Sequence, residues 1–407
     1  MFKDKKYEIV EFEEVSDIYV VNTCTVTNMS DRKSRQILRQ AKKKNPNSIV
    51  VACGCYVQVA KDELEKIPEI DLVLGTNEKT KIVEYVEKFI EEKNKFLIQI
   101  DDVMKNKIFG DFGAVTYTEK TRAVIKVQDG CDRFCSYCII PYARGRVRSR
   151  KPENIINEIN KIAENGIKEV VITGIHVASY GKDFDDEYRL IDLLEEINNI
   201  KGIERIRLGS IEPLLITEEF MLRLVKLKKI CHHFHLSLQS GCTETLKRMN
   251  RRYTSEDFEI IVNRLRKYYS DVILTTDVIV GFPEESEEEF CQTFEFLKKI
   301  KFYKMHIFKY SPRKGTKAEK MKNQISGEVK EKRSKKLLEL SNQNENKYLE
   351  EYIGKEVEVL FEEKDGEYYK GHTSNYIMVK FKSVENLENK IAKVKITSKS
   401  DLSLISE

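Results

Sequence analysis

Three cysteines in one short segment have the residue type and spacing to hold an iron–sulfur cluster. Cys131, Cys135 and Cys138 stand in C-x3-C-x2-C spacing within GCDRFCSYCIIPYARGRVRSR. A four-iron cluster normally takes four thiolates, so three thiolates in one loop leave one iron open to bind a small molecule. A structural zinc site, which favours two C-x2-C pairs or added histidines, and chance clustering are the alternatives.

The open iron of such a cluster is suited to chelate the amino and carboxylate groups of S-adenosylmethionine (SAM). The spacing therefore predicts a radical SAM enzyme in which Cys131, Cys135 and Cys138 are both metal ligands and catalytic residues. Tyr137 lies between the second and third ligands, where an aromatic ring can pack on the adenine of SAM. Packing within the loop alone is the alternative for this ring.

The elements that must position this loop alternate regularly from Arg122 onwards. Apolar runs typical of strands are separated by amphipathic helical stretches, which predicts parallel βα units. Six units are too few for a closed eightfold barrel and favour an open, partial (β/α)6 barrel, an α/β fold. The six strands are expected at 123–127, 169–173, 205–208, 234–238, 272–280 and 305–308.

Two smaller segments flank the predicted barrel at 119–346. Buried strand patterns alternating with helices predict a small α/β domain over 1–95, and the irregular segment 96–118 is expected to be a linker. Short alternating strands over 347–407 predict a small C-terminal β-barrel. In the first domain, strands are expected at 18–21, 49–52 and 72–74, and helices at 29–44 and 79–92.

Composition narrows the classes of protein that this chain can represent. The nine cysteines are an odd number and cluster together, which indicates metal ligation in a reducing compartment rather than a disulfide scaffold. The sequence has no signal-peptide pattern and no apolar run of about 18 residues, so we expect a cytoplasmic protein without membrane association. The net charge is only +4, so a nucleic-acid surface would have to be local.

Two clusters of basic residues are candidates for such a surface. One occupies the helix predicted at 29–44, for which a solvated charged face is the alternative. The other follows the cysteine loop, where alternating arginines would project to one side and suit phosphates. The clusters are Arg32, Lys33, Arg35, Arg39, Lys42, Lys43 and Lys44 in the helix, and Arg144, Arg146, Arg148, Arg150 and Lys151 after the loop.

Three polar residues lie at the ends of predicted barrel strands. Arg207, Ser237 and Gln239 are expected on the rim at the carboxyl ends of the strands, where barrel enzymes assemble their active sites. We therefore predict contacts with the cofactor, with barrel packing as the alternative.

Longer motifs carry a family resemblance. Residues 126–150 resemble the cluster loop of the radical SAM methylthiotransferases, and further motifs resemble other parts of that family's barrel, its N-terminal domain and its C-terminal TRAM domain. These motifs are RLGSIEP (207–213), HLSLQSG (235–241), TLKRMNRRYT (245–254), TTDVIVGFP (275–283) and YSPRKGT (310–316) in the barrel, VNTCTVTNMSDRKSR (21–35) and GCYVQ (54–58) in the N-terminal domain, and KGHTSNYIMV (370–379) in the TRAM domain.

The resemblance implies SAM and two 4Fe-4S clusters. Cys24 and Cys55 match the second and third ligands of the auxiliary cluster, which carries the sulfur. The first ligand, in a motif like GCKVNQ, has no match, so the chain is expected to be N-terminally truncated by comparison with the family. Cys53 shares a strand face with Cys55 if the strand continues, and could replace the absent ligand; a small core residue is the alternative.

The same resemblance implies further cofactor contacts within the barrel. Thr173 and Gly174 match the turn that binds the amino group of SAM, and Val280 and Gly281 match the place where its adenine rests.

Within the family, SYCIIPYARGR, HLSLQSGC and SPRKGT resemble most the MtaB type. That type adds a methylthio group to C2 of N6-threonylcarbamoyladenosine next to the anticodon of tRNA. Methylthiolation of isopentenyladenosine in tRNA or of a ribosomal protein aspartate, and RNA binding without catalysis, are the alternatives.

The resemblance also implies the partners of the chain. These are the tRNA anticodon stem-loop and a low-potential electron donor such as flavodoxin or ferredoxin, and we expect a monomer. In the C-terminal barrel, Tyr368, Tyr369 and Tyr376 are expected to stack on unpaired bases.

Overall fold

The computed structural model describes residues 1–64, 66–92, 97–111, 121–400 and 402–406. The chain separates into two compact units, each assembled from distant segments. The first unit combines Met1–Phe112 with Asp129–Arg148 and Ser311–Lys320, and the second combines Gly113–Gln128, Ser149–Tyr310 and Met321–Glu407. All the cysteines predicted to hold clusters therefore belong to the first unit.

The first unit is built on four parallel strands that lie side by side in chain order. Its β2 strand is buried on both faces, so alternate residues enter two different apolar clusters: Val50 and Ala52 enter one, Val51 and Cys53 the other. The elements are β1 (Ile18–Thr23), α1 (Asn28–Lys44), β2 (Ile49–Gly54), α2 (Cys55–Val59), α3 (Lys61–Leu64), β3 (Leu72–Leu74), α4 (Ile82–Glu92) and β4 (Leu97–Gln99).

Three elements of this unit differ from the sequence expectation. The short helices α2 and α3 are too brief for a hydrophobic period to reveal them. Strand β4 falls inside the segment expected to be a linker. Residues 95, 96 and 112–119, which include both predicted linker boundaries, lie outside the described residues.

The second unit contains the predicted alternation of strands and helices. Its strands form two parallel sheets, and the bridges Ile206↔Ile230 and Ile211↔Leu236 connect the edge of one to the edge of the other. The partial (β/α)6 barrel is thereby confirmed. In spatial order the six strands are β5 (Arg122–Asp129), β7 (Glu169–Gly174), β8 (Arg205–Leu208), β9 (His233–Gln239), β10 (Ile273–Val280) and β11 (Lys304–Lys309), and β6 (Arg148–Ser149) lies beside β5.

Helices follow most of these strands, and local sequence explains where several of them begin. Thr254 and Ser286 form capping boxes with Asp257 and Glu289, satisfying backbone amides at the helix starts. The helices are α5 (Ile140–Arg144), α6 (Pro152–Glu164), α7 (Leu190–Asn198), α8 (Glu218–Leu224), α9 (Thr243–Arg248), α10 (Ser255–Tyr268), α11 (Glu287–Ile300) and α12 (Gly327–Glu350).

The C-terminal segment of the second unit is rich in strands, as predicted. Its mostly antiparallel sheet encloses an apolar cluster that also includes Ile273 and Tyr303 of the barrel segment. In spatial order its strands are β15 (Ile391–Lys395), β12 (Glu356–Asp365), β13 (Tyr368–Thr373), β14 (Met378–Lys382), β17 (Leu404–Ser406) and β16 (Ser398–Lys399). Across the described residues of the whole chain, no helix combines the length and the apolar character needed to cross a membrane.

Candidate functional site

The cysteine loop leaves β5 through a tight glycine turn. Gly130 has φ +73°, and a Cβ at this position would lie 1.8 Å from the carbonyl oxygen of Arg146. The amide of Gly130 donates to the Asp129 carboxylate at 2.8 Å, and the amide of Cys131 donates to the Gly145 carbonyl at 3.0 Å. Two passages of the chain thus touch at the start of the loop, which only a residue without a side chain permits.

The three cysteines of the loop are half-buried thiols without disulfides. The Cys138 amide donates to the Cys135 carbonyl at 2.9 Å, and Ala318 donates its amide to the carbonyl of the intervening Ser136 at 2.7 Å. These backbone bonds support the loop from inside and from the 311–320 segment. The thiols therefore project from a braced backbone.

This donor set fits a four-iron cluster better than a single metal ion. Among the described residues, no three His, Cys, Asp or Glu side chains are grouped so as to hold one ion. A cubane binds each thiolate at a different iron, so its ligands stand further apart than those of one ion. Cys131, Cys135 and Cys138 supply three thiols, and the loop has no fourth Cys or His. The residues fit a cluster with one open iron.

The glycine turn gives a testable consequence. Gly130→Ala is expected to lower the stability of the first unit and the iron content after anaerobic reconstitution, because the Cβ would collide with backbone that cannot rotate away. The matched control is Gly366→Ala, at φ +62° with no atom within 4 Å of the added Cβ. That control isolates the backbone cost of about 1–2 kcal/mol. Equal effects in the two variants, measured by urea unfolding and iron assay, would contradict the close contact.

Cys24 and Cys55 come together because they follow the paired ends of two strands. Thr23 and Gly54 are register partners at the carboxyl ends of β1 and β2. The Thr23 hydroxyl also donates to the Cys53 carbonyl at 2.7 Å, which ties the two ends together. The residue that follows each strand is one of the predicted auxiliary ligands.

Arg144, from the helix after the cysteine loop, lies against this cysteine pair. Its Nε atom donates to Sγ of Cys55 at 3.0 Å, and a terminal nitrogen lies 3.5 Å from the Asp129 carboxylate. Burial alone would lower the pKa of Arg144, but Cys55, Asp129 and Cys24 together raise it. Both thiols therefore lie within electrostatic reach of one guanidinium. The pair fits two ligands of a cluster.

Cys53 occupies a different environment from Cys55. Its side chain is buried in the apolar cluster with Leu72 and Leu74, and burial raises the pKa of its thiol. The strand ends at Gly54 and Cys55 begins helix α2, so the alternation of a continuous strand does not extend to Cys55. Strand alternation therefore does not place the two thiols on one face, although Arg144 and Cys55 both act electrostatically on the Cys53 thiol.

Four predicted cofactor residues lie at the carboxyl ends of barrel strands. Thr173 and Gly174 end β7, and a Cβ on Gly174 would lie 2.8 Å from the Gln128 carbonyl on β5. Gln239 ends β9 with φ +73° and is largely buried. The Ser237 carbonyl accepts hydrogen bonds from Arg251 and Tyr253. The structure thus places these residues on the predicted rim.

Val280 and Gly281 end the strand β10 at the same edge. Val280 is almost fully buried, and its carbonyl accepts the Tyr310 amide at 2.9 Å. Gly281 donates its amide to Glu285, and the Lys330 side chain fills the space where a Cβ would project. Tyr137 lies in the first unit as a half-buried residue of the cysteine loop.

Arg207 does not face the predicted rim. Its guanidinium donates to the carboxylate of Glu169, the first residue of β7, with Nε at 2.8 Å from Oε1. Tyr376 of the C-terminal segment covers it, with the guanidinium carbon 4.5 Å from the ring centroid. The side chain therefore turns towards the amino ends of the strands, because a buried guanidinium needs a carboxylate partner. The expected SAM contact of Arg207 is corrected accordingly.

The alternating arginines after the cysteine loop do not form a phosphate-binding row. β6 contains only two residues, so no extended strand aligns them. Arg148 is buried beside Asp129, Arg150 is buried in an ion pair with Glu158, and Arg144 contacts Cys55. Only Arg146, which pairs with Asp132, and Lys151 are exposed among the five. The predicted RNA contact of the buried members is therefore wrong.

Acidic side chains also pair with part of the positive charge of helix α1. Three of its seven basic side chains lie within 4 Å of a carboxylate. In the C-terminal segment, Tyr369 is buried, and Tyr376 stacks against His372 and His233 at centroid distances of 4.7 and 5.1 Å. Tyr369 is therefore packed inside the protein, whereas Tyr376 remains 39% exposed. The three ion pairs are Arg35–Glu63, Arg39–Glu69 and Lys42–Asp71.

One pair at the barrel rim was missed by sequence reasoning. His176 Nε2 lies 3.2 Å from a carboxylate oxygen of Glu212, and the two residues follow the ends of β7 and β8. The Gln128 side chain accepts the His176 amide at 2.7 Å. Placement directly after predicted strands was the available signal, since carboxyl ends of parallel strands meet at one edge.

Two family descriptions match the chain. Residues 125–297 match the radical SAM superfamily, and residues 1–75 match the uncharacterized protein family UPF0004, which covers Cys24 and Cys55. A solved structure with a similar fold is the radical SAM methyltransferase TsrM of Kitasatospora setae, with a TM-score of 0.56 at 16% identity over 73% of this chain and 62% of that one.

Curated relatives match almost the entire chain. The threonylcarbamoyladenosine tRNA methylthiotransferase MtaB of Bacillus subtilis is 41% identical over 97% of this chain and 89% of its own. The enzyme of the same name from Aquifex aeolicus is 44% identical, covering 93% and 91%. The tRNA-2-methylthio-N(6)-dimethylallyladenosine synthase of Clostridium novyi is 36% identical, covering 100% and 91%.

Proposed function

Because this chain belongs to the radical SAM methylthiotransferases, we propose that it adds a methylthio group to C2 of N6-threonylcarbamoyladenosine next to the anticodon of tRNA. The observation that carries this proposal is the end-to-end similarity to two enzymes named for that nucleoside, which exceeds the similarity to the dimethylallyladenosine synthase. Methylthiolation of isopentenyladenosine is the second candidate, supported by the latter relative.

Membership of the family implies SAM and a 4Fe-4S cluster. When bound, they supply a radical able to remove hydrogen from an aromatic C–H, which has no proton acidic enough for a general base. We propose that Cys131, Cys135 and Cys138 hold this cluster. The backbone bonds from Gly145 and Ala318 brace their loop, so the thiols would hold the cluster in one geometry.

We propose Cys24 and Cys55 as two ligands of a second, sulfur-carrying 4Fe-4S cluster. Arg144 supports this assignment because its guanidinium reaches Cys55 directly and Cys24 electrostatically. A hydrogen bond to a ligand sulfur stabilises negative charge on it. Arg144 also precedes Gly145, whose carbonyl holds Cys131, so the same short segment contacts both cysteine groups.

At the barrel rim, we propose that Thr173, Gly174, Ser237, Gln239, Val280 and Gly281 contact SAM. Their position at the carboxyl ends of β7, β9 and β10 supports this, because active sites of parallel barrels form there. For partners, we propose the tRNA anticodon stem-loop and a low-potential donor such as flavodoxin or ferredoxin, with the chain acting as a cytoplasmic monomer.

The proposal is tested by nucleoside analysis of tRNA. A strain that lacks the gene is expected to lose methylthio-threonylcarbamoyladenosine and to accumulate its unthiolated precursor, measured by mass spectrometry. A plasmid copy of the wild type should restore it, whereas a copy with Cys135→Ala should not. An unchanged level of methylthio-threonylcarbamoyladenosine would reject the proposal, and a loss of the isopentenyl derivative instead would favour the second candidate.

A further inference from the structure

A cavity of about 130 Å³ in the first unit adjoins both cysteine groups. Among its lining residues, Thr25 follows Cys24, Tyr56 follows Cys55, and Ile139 follows Cys138. A group that occupies this cavity therefore lies next to the cysteines of both proposed clusters. Under the proposed function, the cavity is therefore placed to receive a part of the substrate that does not itself react.

Two residues that line the cavity each carry a buried polar atom that lacks a partner among the described residues, one a donor and one an acceptor. Arg313 donates to Asn28 and Thr25 at 2.6 Å and to Oδ2 of Asp31 at 2.5 Å, which fixes its side chain. Nε of Arg313 and Oδ1 of Asp31 are buried without a hydrogen-bond partner among the described residues. The side chain of Arg313 is only 7% exposed. A buried polar atom left unpaired is costly, so the site favours an occupant with both an acceptor and a donor.

The remaining charges restrict the occupant further. Lys314 lies at the cavity with an exposed side chain for which the described residues provide no ion pair, whereas Asp62 and Glu63 add carboxylates. Glu63 already accepts the Tyr56 hydroxyl and lies near Arg35. A simple anion such as a phosphate would be repelled by the carboxylates of Asp62 and Glu63. An apolar prenyl group would leave the polar atoms unpaired. The lining instead matches a group with N–H or O–H donors, a carbonyl and a carboxylate.

We propose that this cavity binds the hydroxy-amino-acid substituent on N6 of the target adenosine, an inference that rests on the proposed function. The Lys314 ammonium pairs with the substituent carboxylate. Asp31 Oδ1 accepts from its hydroxyl or carbamoyl N–H, and Arg313 Nε donates to its carbonyl. Lys314 is thus a specificity-determining residue, while Arg313 and Asp31 are held in place by their mutual ion pair.

Binding of three anticodon stem-loops tests the assignment. They differ only in the adenosine next to the anticodon, which carries threonylcarbamoyl, isopentenyl or no substituent. Fluorescence anisotropy with the anaerobically reconstituted chain is expected to show the tightest binding for the threonylcarbamoyl form. Lys314→Met should weaken that form about tenfold, as expected for one hydrogen bond to a charged group, and leave the other two unchanged.

Lys317→Met is the matched control. Lys317 lies three residues away, is exposed and does not line the cavity, so its removal should affect the three stem-loops alike or not at all. The Kd for SAM, which also carries an amino-acid group, is measured by calorimetry and should be equal in wild type and Lys314→Met. A selective loss of SAM binding would assign the cavity to SAM and overturn the inference.

Two further outcomes would overturn it. Equal weakening of all three stem-loops by Lys314→Met would mark Lys314 as a general phosphate contact, and no change at all would exclude it from recognition. Either result leaves the proposed function standing if nucleoside analysis still finds methylthio-threonylcarbamoyladenosine dependent on the gene. Loss of that dependence would reject the proposed function and the inference together.

Discussion

Replacing Cys135 by alanine is expected to abolish reductive cleavage of SAM. Cys135 is the middle one of three thiols in a loop with no fourth Cys or His. Each thiolate of a cubane holds a different iron, so two remaining thiols leave two irons without protein ligands. After anaerobic reconstitution and reduction, the variant should release no 5′-deoxyadenosine above the level of the unreconstituted chain. Chromatography of the nucleoside measures this directly.

Iron analysis shows whether the loss arises at the predicted cluster. The variant should contain about four fewer irons per chain than the wild type. The matched control is Cys291→Ala, which removes an exposed cysteine of helix α11 that we assign to no cluster. That variant should keep both iron and SAM cleavage. Retention of both by Cys135→Ala would refute the ligand assignment, and loss of both in Cys291→Ala would show that the measurement reports general damage.

Replacing Glu169 by glutamine is expected to cost about 3–5 kcal/mol of unfolding free energy, because it leaves the buried guanidinium of Arg207 without its charge partner. Glu169 is fully buried and accepts from Nε of Arg122 at 2.7 Å and from Nε of Arg207 at 2.8 Å. Arg122 also donates to Glu362 of strand β12 at 2.8 Å. The network therefore joins the barrel strands to the C-terminal segment, and its loss weakens both.

A surface ion pair between strands β12 and β13 of the C-terminal segment provides the control. Glu363 is two-thirds exposed and lies 3.7 Å from Lys370, so Glu363→Gln should cost no more than about 1 kcal/mol. Urea titrations followed by circular dichroism give both values. A cost for Glu169→Gln that matches the control would mean that the arginines find other partners when the carboxylate is lost.

The Glu169 effect should also depend on pH. Burial would raise the pKa of this carboxyl, but the guanidiniums of Arg207 and Arg122 outweigh burial and hold the pKa below its ordinary value of 4.5. A lowered pKa in the folded state stabilises the protein above the ordinary value, and that contribution disappears as the pH falls through the folded pKa. The difference between wild type and Glu169→Gln should therefore be constant near neutral pH and shrink in acid well below 4.5.

The arginines after the cysteine loop illustrate why Arg148 and Arg150 do not join the predicted RNA surface. Alternate residues share one face only where the backbone is extended, and β6 is extended for just two residues. Ion pairs with Asp129 and Glu158 then determine the orientation of Arg148 and Arg150, because a buried guanidinium is tolerated only with a carboxylate. Those partners are recognisable only once the chain is folded, since spacing along the sequence does not show which side chains meet.

The cysteine loop and the strand order could be predicted because both depend on local patterns. Hydrophobic runs determine where the six parallel strands lie, and thiol spacing predicts the cluster ligands. Tertiary packing alone determined where several important side chains lie. It buried Cys53 in an apolar cluster, turned Arg207 towards Glu169, and brought Arg313 and Asp31 to the lining of one cavity. These outcomes depend on desolvation and on partners distant in the sequence, which no local pattern encodes.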